Sequence, residues 1–139
     1  MDKVLMIDDD LDDQYFYRSL FSEISSELDF DSITSREELS EKIFQVDSGA
    51  YKLPKLILLD LNLPRISGKE IFLELASHVN FKRIPIVALT TSSSPLDIQD
   101  CQRLGFDAYF VKPSEFKDCK KLVKTLHSYW FVLNEINNH

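Results

Sequence analysis

The chain has 139 residues, 44% hydrophobic and 28% charged, a composition typical of one globular domain, which we expect to span residues 1–139. Its formal net charge of −7 disfavours non-specific binding to nucleic acid or to an anionic membrane. The two cysteines are isolated, which is typical of free thiols in a reducing compartment. The first apolar run (Val4–Ile7) is too short for a signal peptide, and no run reaches the roughly 18 apolar residues of a membrane span. We therefore expect a cytoplasmic protein.

Strand-like and helix-like segments then alternate five times along the chain. Apolar runs predict strands over about residues 3–7, 30–34, 55–60, 84–90 and 107–111. A helix follows each strand, the first over about residues 12–28 and the later ones beginning near Ser35, Ser67, Ser94 and Ser114. The third and fourth strands are almost wholly apolar, which is typical of strands buried on both faces of a parallel sheet. The repeated units predict an α/β fold, a flavodoxin-like, doubly wound sheet of five parallel strands in the order 2-1-3-4-5 with five helices.

Four of these strands end in residues suited to phosphoryl chemistry, namely Asp8, Asp9, Asp60, Thr90 and Lys112. Because chemistry in open α/β sheets lies at the carboxyl ends of the strands, we expect these side chains to share one site. Three carboxylates there would repel one another by about 4 kcal/mol per pair at 4 Å and an effective dielectric of about 20. A divalent cation removes that cost, and a set of oxygen ligands without His or Cys favours Mg²⁺.

Asp60 is the best candidate for a nucleophile, because it stands alone at the end of a buried strand while Asp8 and Asp9 form a pair suited to holding metal. Mg²⁺, the Lys112 ammonium and the Thr90 hydroxyl would then neutralise the oxygens of a transferred phosphoryl group. Each residue taken singly also fits an ordinary structural role, as a helix cap, a turn residue or a surface lysine.

Together, these residues and their neighbours resemble the receiver domain of bacterial two-component response regulators. The motifs are Asp8-Asp9, the segment Asp60-Leu61-Asn62-Leu63-Pro64 with Gly68 after it, Leu89-Thr90, and Tyr109-Phe110-Val111-Lys112-Pro113. The likeness covers essentially the whole chain and is to the stand-alone, single-domain type.

The resemblance implies that Asp60 accepts phosphate from the phosphohistidine of a histidine kinase, which makes the chain a phosphoacceptor rather than an enzyme that turns over substrate. It also implies that Asp9, Asp60 and the main-chain carbonyl of Asn62 bind Mg²⁺ directly and that Asp8 helps through water. Lys112 would contact the phosphoryl group, and the peptide bond between Lys112 and Pro113 would be cis.

The resemblance further implies a switch that couples Thr90 to Tyr109. A phosphate that draws the Thr90 hydroxyl inward leaves space into which the aromatic side chain turns. The face made by helix four, strand five and helix five would then be reordered and would signal through protein contacts.

The last helix carries two apolar sets. Phe116, Cys119, Val123, Leu126, Trp130 and Leu133 are predicted to pack on the sheet, and Leu122, Tyr129, Val132 and Ile136 are predicted to face a partner. A homodimer through this helix is one hypothesis for the second set. The chain also resembles the receivers that pair with phytochrome-type or hybrid kinases.

Other functions stay open from the sequence. A receiver-like binding module without phosphorylation is disfavoured by the intact acidic, hydroxyl and lysine set. A phosphorelay intermediate that passes phosphate to a histidine phosphotransfer protein would use the same residues. A phosphatase usually needs a second acid two residues after the nucleophile, and Asn62 stands there instead.

Overall fold

Five parallel strands form the sheet, in the spatial order β2-β1-β3-β4-β5. The computed structural model describes residues 1–133. The strands are β1 (Lys3–Ile7), β2 (Asp29–Ile33), β3 (Leu56–Leu59), β4 (Ile86–Thr90) and β5 (Ala108–Val111). The helices are α1 (Leu11–Ile24), α2 (Arg36–Asp47), α3 (Gly68–Ser77), α4 (Pro95–Leu104) and α5 (Phe116–His127). The last of these, α5, continues as a π-helical turn (Ser128–Leu133). The predicted fold class, strand order and five helices are confirmed.

The sheet separates two apolar cores. On one face, Val4 and Met6 of β1 pack with side chains of α1 and α5, while on the other Leu5 and Ile7 pack with side chains of α2 and α3. Every residue of β3 and β4 is buried, as their continuous apolar sequences predict. The register pairs Leu59 with both neighbouring strands, so the carboxyl ends of β1, β3 and β4 lie side by side. Within residues 1–133, no helix has both the length and the apolar character that crossing a bilayer requires.

Four helices begin with a capping side chain. Asp10, Ser35, Ser67 and Ser94 each accept a hydrogen bond from the backbone N–H three residues later, at 3.1–3.5 Å. These bonds satisfy amide groups that have no partner inside the helix. Of the four serines near which helices are predicted to begin, Ser35, Ser67 and Ser94 are therefore caps, whereas α5 begins after Glu115 without a side-chain cap.

Several element boundaries differ from the prediction by one or more residues, and two of these differences have a clear physical cause. The first helix ends at Ile24 rather than near Leu28, because Ser25 is extended (φ −148°) and the chain turns so that the Leu28 amide reaches the Ser25 carbonyl. The fourth strand begins at Ile86, since Pro85 has no N–H and only its carbonyl takes part, accepting from Ile57.

The end of the last helix departs furthest from its predicted pattern. Of the set predicted to pack on the sheet, Phe116 and Leu133 are exposed, whereas Leu122 of the second set is buried. Within the π-helical turn the consecutive residues Trp130 and Phe131 are both buried, and Phe131 belongs to neither of the two predicted apolar sets. Of the predicted partner-facing set, Tyr129 and Val132 are exposed, and Ile136 lies outside the described residues.

Candidate functional site

The acidic side chains meet where β1 and β3 end. The Asp60 amide donates to the Ile7 carbonyl at 3.0 Å, which ties the two strand ends together. One carboxylate oxygen from each of Asp8, Asp9 and Asp60 lies within 4.8 Å of the others. The strand order therefore brings together three acids that are separated by up to 52 positions in sequence.

Burial sets the character of this acidic cluster. Asp8 has no exposed surface and Asp60 is 7% exposed, whereas Asp9 faces solvent. Burial raises the pKa of Asp8 to about 6, although hydrogen bonds from Lys112 and from the Asp10 amide favour the charged form. Oxygen donors of this kind, with no His or Cys among them, suit a hard divalent cation that would offset the cost of the buried charges. The residues present thus fit a metal of the Mg²⁺ type.

Lys112 supplies the positive charge of the site. Its Nζ lies 2.6 Å from Asp8 Oδ2, 2.7 Å from Asp13 Oδ2 and 3.5 Å from Asp60 Oδ2, and the side chain is only 7% exposed. Burial by itself lowers the pKa of Lys112, but the hydrogen bonds to Asp13 and Asp8 outweigh it, so the pKa is raised and the ammonium stays charged. Asp13 was not among the predicted site residues.

Thr90 and Tyr109 meet at the loop after β4. Thr90 is fully buried, and its Oγ1 accepts a hydrogen bond from the Ser92 amide at 3.4 Å. The Tyr109 hydroxyl donates to the Ser92 carbonyl at 2.7 Å, and its ring packs against a small cluster that contains Leu61 and Cys101. The two predicted switch residues therefore contact the same loop residue, one through its amide and the other through its carbonyl.

This loop is also tied to two helices. The Ser92 hydroxyl donates to Asp97 Oδ2 at 2.5 Å, and Lys69 Nζ lies 2.7 Å from Asp97 Oδ1 and 2.9 Å from Asp100 Oδ2. The hydrogen bonds from Lys69 and from Ser92 lower the pKa of Asp97. Since Lys69 belongs to α3 and both acids to α4, an ionic contact joins these helices beside Thr90 and Tyr109. Sequence reasoning missed this network because nothing in the local pattern pairs residue 69 with residue 97.

Asn62 follows Asp60 in the loop that leads to α3. Its amide donates to Asp60 Oδ1 at 3.1 Å, and it lines a cavity together with Asp9. The contribution of its main-chain carbonyl to a metal site stays a prediction. The expected cis bond before Pro113 is wrong: no peptide bond among residues 1–133 is cis, and the trans form is the one that X–Pro bonds favour by about 0.5–1 kcal/mol.

Gly68 lets α3 start directly against the strand end. A Cβ at this position would lie 2.3 Å from the Asp60 carbonyl oxygen and 2.8 Å from Leu61 Cα, which are backbone atoms. The Gly68 amide donates to the Leu61 carbonyl at 2.9 Å. A residue without a side chain is therefore needed to keep the phosphoacceptor candidate Asp60 and the first turn of α3 this close.

Gly68→Ala is expected to lower the free energy of unfolding by about 2–3 kcal/mol, since the clash involves backbone and outweighs the roughly 1 kcal/mol by which alanine favours a helix. Urea denaturation measures the change. Leu73→Ala, at a half-exposed position of the same helix, is the matched control and should change stability by less than about 1 kcal/mol. A Gly68→Ala protein as stable as the wild type would contradict the prediction.

The fold and the site together define a class, an α/β protein whose buried acids and lysine lie at the carboxyl edge of a doubly wound sheet. The family model of the response regulator receiver domain matches residues 4–124, and the chain belongs to that family. Receiver domains of this family act in two-component signalling and bind a divalent metal at an acidic pocket.

Individual relatives agree with this membership. Response regulator Rcp1 of Synechocystis sp. is 33% identical over 130 residues, which cover 91% of this chain and 87% of Rcp1. The structure of the phosphorylated cyanobacterial phytochrome response regulator RcpA superposes with a TM-score of 0.80 at 28% identity, covering 94% of each chain. The Mn²⁺-bound form of Rcp1 superposes with a TM-score of 0.74 at 31% identity, again over 94% of each chain.

Proposed function

We propose that this chain is a single-domain response regulator that accepts a phosphoryl group from the phosphohistidine of a histidine kinase onto Asp60, in a Mg²⁺-dependent reaction. The observation that carries the proposal is the convergence of Asp60 with Asp8, Asp9 and Lys112 at one edge of the sheet. We include all of residues 1–139 in the receiver domain. Trp130 and Phe131, beyond the family match, pack into the same core as α1, which supports an extension of the domain past residue 124.

In the proposed reaction, an Asp60 carboxylate oxygen forms a bond to phosphorus while the bond from phosphorus to the donor nitrogen breaks. The electron pair of the broken bond leaves with that nitrogen, which takes up a proton when needed, and no oxidation or reduction occurs. Lys112 stays protonated and pairs with a phosphoryl oxygen, and the Thr90 hydroxyl donates to another. Bound Mg²⁺, held by Asp8, Asp9, Asp60 and the Asn62 carbonyl, would neutralise the remaining negative charge.

The donor that we propose is a histidine kinase of the phytochrome or hybrid type. The similarity to Rcp1, and to RcpA, which is a phytochrome response regulator, supports this choice. We assign the output to the face of α4, β5 and α5, because Tyr109 of β5 bonds to the Ser92 carbonyl in the loop that follows Thr90. A change at Thr90 on phosphorylation would reach this face through Ser92, which bonds to both Thr90 and Tyr109.

The test uses phosphoramidate with Mg²⁺ and intact-mass spectrometry of the full chain. One added phosphate that alkali or hydroxylamine releases is expected, mapped to Asp60 after borohydride reduction and digestion, and EDTA should prevent its uptake. Absence of labelling, or label on another residue, would overturn the proposal. A panel of purified histidine kinases, each autophosphorylated with ATP, then identifies the partner by the loss of label from the kinase.

A further inference from the structure

Lys112 is shared unequally among three carboxylates. Its Nζ lies at 2.6 Å and 2.7 Å from oxygens of Asp8 and Asp13, but at 3.5 Å from Asp60. Hydrogen bonds between an ammonium and a carboxylate are about 2.7–2.9 Å long, so the first two contacts are full hydrogen bonds and the third is a weak one. The cation that would serve a phosphoryl group on Asp60 is thus directed away from it.

The position of Asp13 is fixed by the start of α1. Its amide donates to the capping carboxylate of Asp10 at 3.1 Å, which sets the first turn of the helix. The next residue, Gln14, is buried and donates to the carbonyls of Asp8 at 2.6 Å and Ile33 at 2.9 Å. The helix is therefore anchored to the ends of β1 and β2 directly beside Asp13, and the Asp13–Lys112 contact is held by a rigid support.

The two acids that hold Lys112 differ in their access to water. The Asp13 side chain is 31% exposed, whereas Asp8 has no exposed surface. If Lys112 moves toward a new anion, water can solvate the Asp13 carboxylate, but a buried Asp8 carboxylate left without its cation is strongly disfavoured. Asp13 is therefore the partner that releases Lys112 at the lower cost.

The geometry points to Asp13 as a positioning residue that competes with the phosphoryl group for Lys112. This inference rests on the proposed function, because it concerns the regulation of phosphate binding at Asp60. A closer approach of the Lys112 ammonium to a phosphoryl oxygen on Asp60 draws it away from Asp13, so the Asp13 carboxylate weakens the binding of the anion. Asp13 does not touch the reacting atoms and acts through Lys112 alone.

The test is a titration with beryllium trifluoride at constant Mg²⁺, followed by ¹⁹F NMR. In this probe the Asp60 carboxylate oxygen replaces a water on beryllium, and the fluorides stand where phosphoryl oxygens would lie. Asp13→Asn is expected to tighten binding about three- to tenfold, the range that a partly exposed charged hydrogen bond supports. The variant Asp13→Glu keeps a carboxylate that can compete for Lys112. Its affinity for the probe should therefore stay within about twofold of the wild type.

Asp12→Asn is the matched control. Asp12 is exposed in the same first turn of α1 and forms no ion pair with Lys112. Asp12→Asn therefore removes the same charge and the same helix-dipole interaction as Asp13→Asn, but not the contact with Lys112. Its affinity for the probe should stay within about twofold of the wild type, since distant exposed charges are screened by salt. Equal tightening in Asp12→Asn and Asp13→Asn, or no tightening in Asp13→Asn, would overturn the inference.

A double-mutant cycle with Lys112→Gln separates competition for the lysine from direct repulsion. In the Lys112→Gln background, Asp13→Asn should change affinity by less than about twofold, because two residues that act through one contact are not additive. Tightening that persists there would also overturn the inference. If wild-type protein binds no probe and takes up no phosphate, the proposed function fails and this inference with it, whereas normal wild-type binding without an Asp13 effect rejects the inference alone.

Discussion

Asp60→Asn should abolish phosphate uptake from phosphoramidate, because an amide nitrogen or oxygen does not replace the carboxylate oxygen as a nucleophile toward phosphorus. The expected loss exceeds a hundredfold in initial rate, about the effect of losing any group that acts as an obligatory nucleophile. Intact-mass spectrometry of variant and wild type, labelled side by side with Mg²⁺, measures the difference.

The structure indicates that this variant will fold. An asparagine keeps an oxygen that can accept the Asn62 amide, which now donates to Asp60 Oδ1 at 3.1 Å. It also removes one of three mutually repelling carboxylates, so thermal stability in EDTA should be equal to the wild type or higher. Asp12→Asn serves as the control and should be labelled normally. Phosphate uptake by Asp60→Asn at the wild-type rate would refute the assignment of the phosphoacceptor.

Lys112→Met should be the most destabilising single change at the site. The side chain pairs with Asp8 and Asp13, and its removal leaves a buried Asp8 carboxylate without its cation. Removing one partner of a buried ion pair costs about 3–5 kcal/mol, and because Asp13 is partly exposed we expect about 3 kcal/mol in the metal-free protein. Urea denaturation in EDTA measures the change in the free energy of unfolding.

Bound metal and low pH should both reduce the loss of stability in Lys112→Met. Mg²⁺ supplies the missing positive charge, so saturating Mg²⁺ should stabilise Lys112→Met more than it stabilises the wild type. The pKa of Asp8 is raised to about 6, above its value in an unfolded chain, so the cost of this group is present at neutral pH and is relieved as the pH falls toward that pKa. The variant, which lacks the lysine that favours the charged form, should therefore gain more stability on acidification than the wild type.

Lys121→Met is the control for the loss of a lysine, because Lys121 is exposed on α5. It should change stability by less than about 0.5 kcal/mol. If Lys112→Met does not fold, the double variant Lys112→Met with Asp8→Asn removes the buried charge as well and should recover stability. A Lys112→Met protein as stable as Lys121→Met would show that the ion pair does not stabilise the fold.

The pattern of apolar runs and capping residues was sufficient to predict the fold, because each strand and helix is specified by its local sequence. The continuous apolar runs of β3 and β4 require burial on both faces, and serines such as Ser35 and Ser67 mark helix starts through bonds that span only three residues. The convergence of Asp8, Asp9 and Asp60 also followed from sequence, since parallel strands place their carboxyl ends at one edge.

The features that sequence reasoning missed all depend on distances between separate elements. Asp13 reads as an ordinary acid in the first turn of a helix, and only the tertiary placement of α1 brings it to Lys112, 99 positions away. The pairing of Lys69 with Asp97 depends in the same way on how α3 and α4 pack. The π-helical turn that follows α5 is likewise a backbone geometry that an α-helical periodicity does not encode.

The amino-acid sequence by itself thus determined the architecture, the membership of the acidic cluster and the lysine that completes it, because secondary structure and strand-end position are properties of short segments. Only the tertiary structure decided which carboxylates hold Lys112, how deeply Asp8 is buried and which loop residue Thr90 and Tyr109 share. Those properties are set by differences of about 1 Å between elements, which depend on the packing of all side chains together and not on any one segment.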